Sequence, residues 1–259
     1  MSISFNNISL GYGNNVIIEN INLELQTGKI TALLGPNGCG KSTLLKSISK
    51  IIQPLKGEVL YKGKNIDTID SKYFSTQIAL LPQIQPIPEG ITVETLISYG
   101  RSPYTNFWGS VTNNDKNFMY QVMEEVGVLE LKDSYLSELS GGQRQRAWLA
   151  MVLAQDTPYI LLDEPTTYMD INHQVELMSI LKRLNKKGKT IIVVLHDINQ
   201  ASRYCDHLVF LKKGELLHQG CPEEMMTQDI LKEVFEIDAQ VHNEPVSNTP
   251  MLIIETKED

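Results

Sequence analysis

Cysteine is scarce in this chain of 259 residues: Cys39, Cys205 and Cys221 stand alone, odd in number and without a CxxC pair. That excludes a disulfide framework, argues against a zinc site and fits a reducing compartment. Long hydrophobic runs are missing too. The most apolar stretch, TIIVVL at 190–195, is strand-length and far short of the roughly 18 residues that cross a bilayer. Work at a membrane would therefore need a partner to supply the spanning part. The opening MSISFNNISLGYG has no basic start leading into an apolar stretch, so no secretory signal is expected. Positive charge is in deficit, 23 Lys and Arg against 31 Asp and Glu, for a formal net charge of −8. Nucleic-acid affinity rests largely on basic side chains neutralising phosphates, so no nucleic-acid partner is expected. His173, His207, His218 and His242 lack metal-ligand spacing, which leaves a protein-bound iron site unsupported.

What is present is ordinary globular material. Hydrophobic residues make up 42% and charged residues 21%, and the length suits one large α/β domain or a domain plus a small subdomain. In the first thirty residues Ile3, Phe5, Ile8, Ile21, Leu23 and Leu25 alternate with polar neighbours as in half-buried strands. A turn at Thr27-Gly28-Lys29 leads into the all-apolar run 30–34, typical of a strand covered on both faces. A helical pattern runs over 41–52 and strands are expected at 58–61 and 78–81. PQIQPIP at 82–88 reads as a linker or hinge. Residues 92–154 are mostly helical in pattern, with a break around 101–115. Strands return at 159–162 and 190–195, separated by a helix over 171–187 that Gly188 ends. The expected fold is α/β: a phosphate-loop core with a largely parallel sheet, an antiparallel β-subdomain and a helical insertion. The expected division is 1–83 with 150–225 as the core, 84–149 as the insertion and 226–259 as a helix-plus-strand appendix.

Three stretches carry chemistry. Residues 35–43 read GPNGCGKST, so Gly35, Gly40, Lys41 and Ser42 fit the phosphate-loop pattern, between an apolar strand and a helix as that pattern requires. Gly35, Pro36, Asn37, Gly38, Cys39 and Gly40 would turn the backbone N–H groups onto phosphates at a helix N-terminus, with Thr43 following in the first turn. Lys41 would reach the β- and γ-phosphates of ATP and Ser42 would ligate Mg²⁺. YILLDE at 159–164 is a buried strand ending in two carboxylates. Asp163 suits a Mg²⁺ site and Glu164 a general base toward water. LSGGQ at 139–143 begins a helix: Ser140 is a good N-cap, and Gly141 and Gly142, ahead of Gln143, leave backbone donors open to an anion. Cys39, beside Lys41 at a helix N-terminus, is expected to have a lowered thiol pKa, with alkylation inhibiting the protein and ATP protecting it.

With these motifs in this order the chain resembles the ATPases of ABC transporters over nearly its whole length. The resemblance identifies the three stretches as the Walker A, signature and Walker B motifs. It places Tyr12 as the aromatic that stacks on adenine and Gln83, in LLPQ, as the Q-loop residue, a further Mg²⁺ contact. It makes Asp170, in TYMD, the D-loop residue and His196, in VVLHD, the switch histidine. It implies a head-to-tail homodimer that closes over two ATP molecules. It also implies two membrane permease subunits received by a groove around 83–105, and a position on the cytoplasmic face of the inner membrane. A periplasmic or lipoprotein binding protein would deliver the cargo.

Cargo has to be read from less general stretches. PEGITVETLISYGRSPY (88–104) and PTTYMDINHQVELM (165–178) resemble the ATPases of iron–siderophore, haem and cobalamin importers. LAMVLAQDTP (149–158), HDINQASRYCDHLV (196–209) and HNEPVSNTPM (242–251) are similar to those of ferric citrate importers. Met169 departs from the usual Leu, a mild apolar exchange. Rival classes are an ABC exporter subunit, a soluble ABC ATPase acting on ribosomes or DNA, and a phosphate-loop kinase or GTPase. LSGGQ argues against the last. The length leaves no room for the second nucleotide domain or long coiled coil of the soluble class.

Overall fold

The computed structural model describes residues 2–105, 112–167 and 169–254. Along the chain come β1 (Ile3–Tyr12), β2 (Asn15–Leu25), β3 (Ile30–Leu34), α1 (Lys41–Ile48), β4 (Lys56–Tyr61), β5 (Lys64–Asn65) and α2 (Ser71–Ser75). Next are β6 (Ile78–Leu81), α3 (Val93–Tyr99), α4 (Asn113–Glu125), α5 (Gly141–Ala154), β7 (Tyr159–Asp163), α6 (Ile171–Lys186) and β8 (Thr190–Val194). The chain finishes with α7 (Ile198–Tyr204), β9 (His207–Lys212), β10 (Glu215–Gly220), α8 (Pro222–Met225), α9 (Gln228–Phe235), β11 (Ala239–Asn243) and β12 (Pro250–Ile254). These elements form two compact units, one from residues up to 69 and from 190 onward, the other from 70–189.

The first unit holds both kinds of sheet the sequence suggests. Its antiparallel sheet runs β2-β1-β4-β5. The six alternating apolar residues of the opening segment all lie in its core, none more than 4% exposed. Its second sheet places β3 between β8 and β9, both parallel to it, with β10 antiparallel to β9 at the edge. Every residue of β3 and of β8 is buried, as strands covered on both faces must be. Gly28, in the turn before β3, has φ 76° and donates its N–H to Thr190 Oγ1 at 2.9 Å. The β9–β10 hairpin, turned by Gly214 at φ 84°, was not expected from the sequence.

Helix α1 is shorter than its apolar pattern predicts, ending at Ile48 rather than near 52. Lys50 enters the left-handed region at φ 62° and Ile51 N–H closes on Lys46 O at 3.1 Å. That closure satisfies the last carbonyls and turns the chain before Pro54 can interfere. The C-terminal appendix also differs from a helix and one strand. After α9 it forms an antiparallel hairpin, β11 with β12, because EPVSNT supplies a turn with Asn248 at φ 58°.

The second unit is mainly helical around a strand pair. β6 and β7 are parallel, Ile78 opposite Tyr159 and Leu81 opposite Leu162. Among the described residues of 84–149 the regular structure is helical apart from one isolated bridge, Thr92 to Tyr135. Helix α5 is its axis, burying Ala147, Trp148, Leu149, Ala150, Val152, Leu153 and Ala154. Helix α3 ends against α5 at Gly100, where an added Cβ would lie 2.2 Å from Met151 O. Arg101 then ties three pieces together: it pairs with Asp115, donates to Ala154 O at 2.9 Å, and stacks on Tyr104 with 4.1 Å to the ring centre. The expected break at 101–115 holds a short turn at Ser102–Tyr104, and residues 106–111 of it lie outside the described residues. Among the described residues no helix is long and apolar enough to cross a membrane.

Candidate functional site

In the first unit the phosphate loop is built by steric necessity. Gly35, Gly38 and Gly40 have φ of 147°, 77° and 105°, conformations that side chains oppose. A Cβ on Gly35 would fall 2.0 Å from Leu211 O on β9, and one on Gly40 would fall 2.6 Å from Ile18 Cγ1 on β2. The loop is therefore wedged between two strands and cannot widen. Gly40 caps α1 without a side-chain acceptor, and no acidic residue lies in the first turn. The helix N-terminus thus keeps its partial positive charge for an anion. Lys41 is buried, its ammonium donating to Gly35 O at 2.7 Å and Pro36 O at 3.0 Å. Asn37 and Gly38 are exposed, Pro36 and Ser42 are half-buried and Thr43 is buried.

Two further predicted residues stand in this unit. Tyr12, 53% exposed, ends β1 opposite Asn15, so its ring is free to present a face at the tip of the β1–β2 hairpin. His196 follows β8. The parallel register pairs Val194, the last residue of β8, with Leu33 of the strand that leads into the phosphate loop, and the histidine two residues on is exposed.

Cys39 corrects an expectation. It is 3% exposed, and burial pushes its thiol up, outweighing the opposing pull of Lys41. The residue is a small buried packing group, 3.9 Å from the Lys41 ammonium, and not an activated nucleophile.

The second unit repeats the register logic with the carboxylates. Because Leu81 pairs with Leu162, Gln83 and Glu164 lie level two residues beyond, and Gln83 Nε2 donates to Glu164 Oε2 at 2.6 Å. Thr167 Oγ1 donates to the same oxygen at 3.3 Å. Glu164 has φ 52°, a left-handed backbone that a non-glycine residue holds at a cost of roughly 1–3 kcal/mol. Its side chain is thereby turned out of the strand while Asp163, the last residue of β7, stays 1% exposed. Of the candidate Mg²⁺ ligands, Gln83 and Asp163 of this unit carry amide and carboxylate oxygens and Ser42 of the first unit a hydroxyl, each a hard donor of the kind Mg²⁺ takes.

The signature segment opens α5 with a reciprocal cap. Ser140 Oγ accepts from Gln143 N–H at 3.3 Å, and Gln143 Oε1 accepts from Ser140 N–H at 3.0 Å. Gly141 has open space where a side chain would be, and Gly142 faces the ring of His173, whose Nδ1 would lie 3.4 Å from an added Cβ. Asp170 caps α6, accepting from His173 N–H at 3.0 Å and meeting the ring Nδ1 at 2.9 Å. These contacts hold its carboxyl below the usual range, the backbone bond first. His173 therefore stands between Gly142 and Asp170, a role its lack of ligand spacing conceals. Gln145 Nε2, donating to Pro165 O at 3.1 Å, ties α5 to the turn after Glu164 in the same way. Neither residue carries a sequence signal, because each depends on a tertiary neighbour.

Known proteins resemble this chain along nearly its whole length. The family model described as "ABC transporter" matches residues 18–167, more than half of the chain. The iron(3+)-hydroxamate import ATP-binding protein FhuC of Bacillus subtilis is 45% identical over 97% of this chain and 94% of its own length. The ferric enterobactin transport ATP-binding protein FepC of Escherichia coli is 42% identical over 95% of this chain and 91% of its own. Among solved structures, a metal-chelate type ABC transporter in an inward-facing conformation superposes with a TM-score of 0.85, at 26% identity, over 99% of this chain and 98% of that one. With its phosphate loop, strand-end carboxylates and signature cap, the chain belongs to the ABC transporter family, as an ATP-binding and ATP-hydrolysing subunit.

Proposed function

We propose that this chain energises import of an iron–siderophore complex through a bacterial inner membrane, with ferric citrate as the cargo. The observation that carries the transport class is identity above 40% along nearly the full length of proteins named for iron(3+)-hydroxamate import, ferric enterobactin transport and siderophore transport. Ferric citrate is supported by the likeness of 149–158, 196–209 and 242–251 to the ATPases of such importers, the last segment lying outside the nucleotide motifs. Iron is cargo in this reading, held by a binding protein and permease, and this subunit touches only nucleotide.

The chemistry follows from the groups described. The phosphate loop and Lys41 hold the β- and γ-phosphates, and Tyr12 stacks on adenine. Mg²⁺, held by Ser42, Gln83 and Asp163, supplies charge neutralisation for the leaving and transferred phosphates when bound. Glu164 takes the proton of the attacking water, and Gln83 fixes the orientation of that carboxylate. His196 senses the γ-phosphate. Ser140, Gly141, Gly142 and Gln143 present backbone donors to ATP on a second copy in a head-to-tail dimer, and Asp170 lines the same junction. The stretch around 83–105 meets two permease subunits at the cytoplasmic face, with Gln83 linking them to nucleotide state.

Uptake of radiolabelled iron tests the cargo. Cells lacking this protein are offered ferric citrate, a ferric hydroxamate, a ferric catecholate and cobalamin, then complemented with the wild type or with Lys41→Ala. Selective loss of ferric citrate uptake, restored by the wild type alone, is expected. Loss confined to another chelate replaces citrate within the class, and unaltered uptake of all of them removes the import reading.

A further inference from the structure

The C-terminal hairpin makes contacts that the nucleotide chemistry described so far does not use. Helix α7 begins two residues after His196, and Asp197 caps it by accepting from Gln200 N–H at 3.0 Å. In its first turn, Asn199 turns its side-chain amide toward β12. Asn199 Nδ2 donates to Leu252 O at 3.0 Å, and Leu252 N–H donates to Asn199 Oδ1 at 2.7 Å. The amide thus behaves as one peptide unit of a neighbouring strand, satisfying both backbone groups of Leu252. Three residues on, Ser202, 1% exposed, donates from Oγ to Pro250 O at 2.6 Å. Positions 199 and 202 lie on one face of the helix, so two adjacent turns are bonded to one strand.

The rest of the hairpin supports that strand. β11 pairs along all of β12, from Ala239 opposite Ile254 to Asn243 opposite Pro250. Glu244 accepts from Ser247 N–H and Oγ in the turn, which holds its carboxyl below the usual range, with Arg203 of α7 a smaller contribution. The helix has only seven residues, too few to hold its position by its own backbone bonds. Its seat is set by what it is bonded to.

We propose that the β11–β12 hairpin is the support that sets the position of His196, with Asn199 as the positioning residue that transmits it through α7. The proposal deepens the assignment of His196 as γ-phosphate sensor and rests on it. Asn199 holds the helix whose first turn fixes where the histidine stands. Loss of the amide bonds lets α7 shift on the sheet, and a shift of that kind at a sensor slows turnover while leaving ATP capture by the phosphate loop intact.

Steady-state ATP hydrolysis by the full-length chain decides the matter, using Asn199→Ala, Asn199→Asp and His196→Ala. Asn185→Ala serves as control, since it removes a side-chain bond to the backbone at Lys189 O (2.9 Å) far along the chain. Asn199→Ala is expected to lower kcat about tenfold with KM for ATP changed less than about twofold. Asn199→Asp, which sets a carboxylate oxygen against Leu252 O in place of the donor, is expected to lower kcat at least as far as Asn199→Ala, again with KM for ATP little changed. Asn185→Ala keeps wild-type kcat. Wild-type kcat in Asn199→Ala beside an inactive His196→Ala overturns the support role and leaves the sensor assignment standing. A matching kcat loss in Asn185→Ala overturns it as well, by reducing it to general stability. Full turnover by His196→Ala removes the sensor assignment and the support role together.

Discussion

In the proposed mechanism Glu164 is the residue that separates binding from turnover. Its carboxylate accepts from Gln83 and Thr167. Glu164→Gln keeps the size and loses the base, so ATP hydrolysis is expected to fall about 10²–10⁴-fold with nucleotide affinity retained. Equilibrium binding beside phosphate release checks this, and wild-type turnover in the variant would remove the general-base role. The carboxylate at the end of YILLDE was legible, but the hydrogen bond from Gln83 was not, since nothing in the chain order says which strand lies next to β7. Cys39 marks the opposite limit. Its neighbours in sequence suggest a reactive thiolate, and only the packing that buries it reverses the sign. Alkylation of Cys39 at neutral pH is accordingly expected to be slower than that of half-buried Cys221, as peptide mapping after brief labelling would show.

At the scale of elements, two features are open to measurement. Gly35 joins β3 to the phosphate loop with φ 147° and no room for a methyl group beside Leu211 O. Gly35→Ala is expected to cost about 1–3 kcal/mol in unfolding free energy and to abolish ATP-dependent stabilisation. Chemical denaturation with and without ATP is the measurement. In the helical unit, Thr112 Oγ1 donates to Asp115 and Arg101 pairs with it, and both hold that carboxyl below the usual carboxylate range, Thr112 first. A depressed carboxyl contributes stability that is present above the ordinary carboxylate pKa and is lost as pH falls through the folded value. Asp115→Asn is expected to lower stability at neutral pH by about 2 kcal/mol and to flatten the acid side of the stability curve. Urea midpoints measured from pH 7 down to pH 3 would show it. The helix that Arg101 follows was legible from periodicity, whereas its capture by Ala154 O was not, because that contact joins residues 53 apart. The early end of α1 escaped for a different reason: Ile51 and Ile52 continue the apolar pattern past the point where Lys50 has already left the helix.

Over the whole molecule, the legible part is the part fixed by strand order and phosphate chemistry. The largely apolar strands at 30–34 and 190–194, the glycine loop and the paired carboxylates suffice for the fold and for ATP. The β9–β10 hairpin and the two-stranded appendix were missed because short edge strands carry little periodicity, and the bonds of Asn199 lie beyond any local pattern. The left-handed backbone of Glu164 has one last implication, for how this protein can be improved. That conformation is held against its own preference, so glycine at position 164 would relieve the backbone and offset the lost side-chain contacts. Such a variant is expected to melt within about 1 kcal/mol of the wild type and to hydrolyse nothing. A laboratory selection scored on solubility or heat resistance alone would be blind at this position, and directed evolution here must count turnovers.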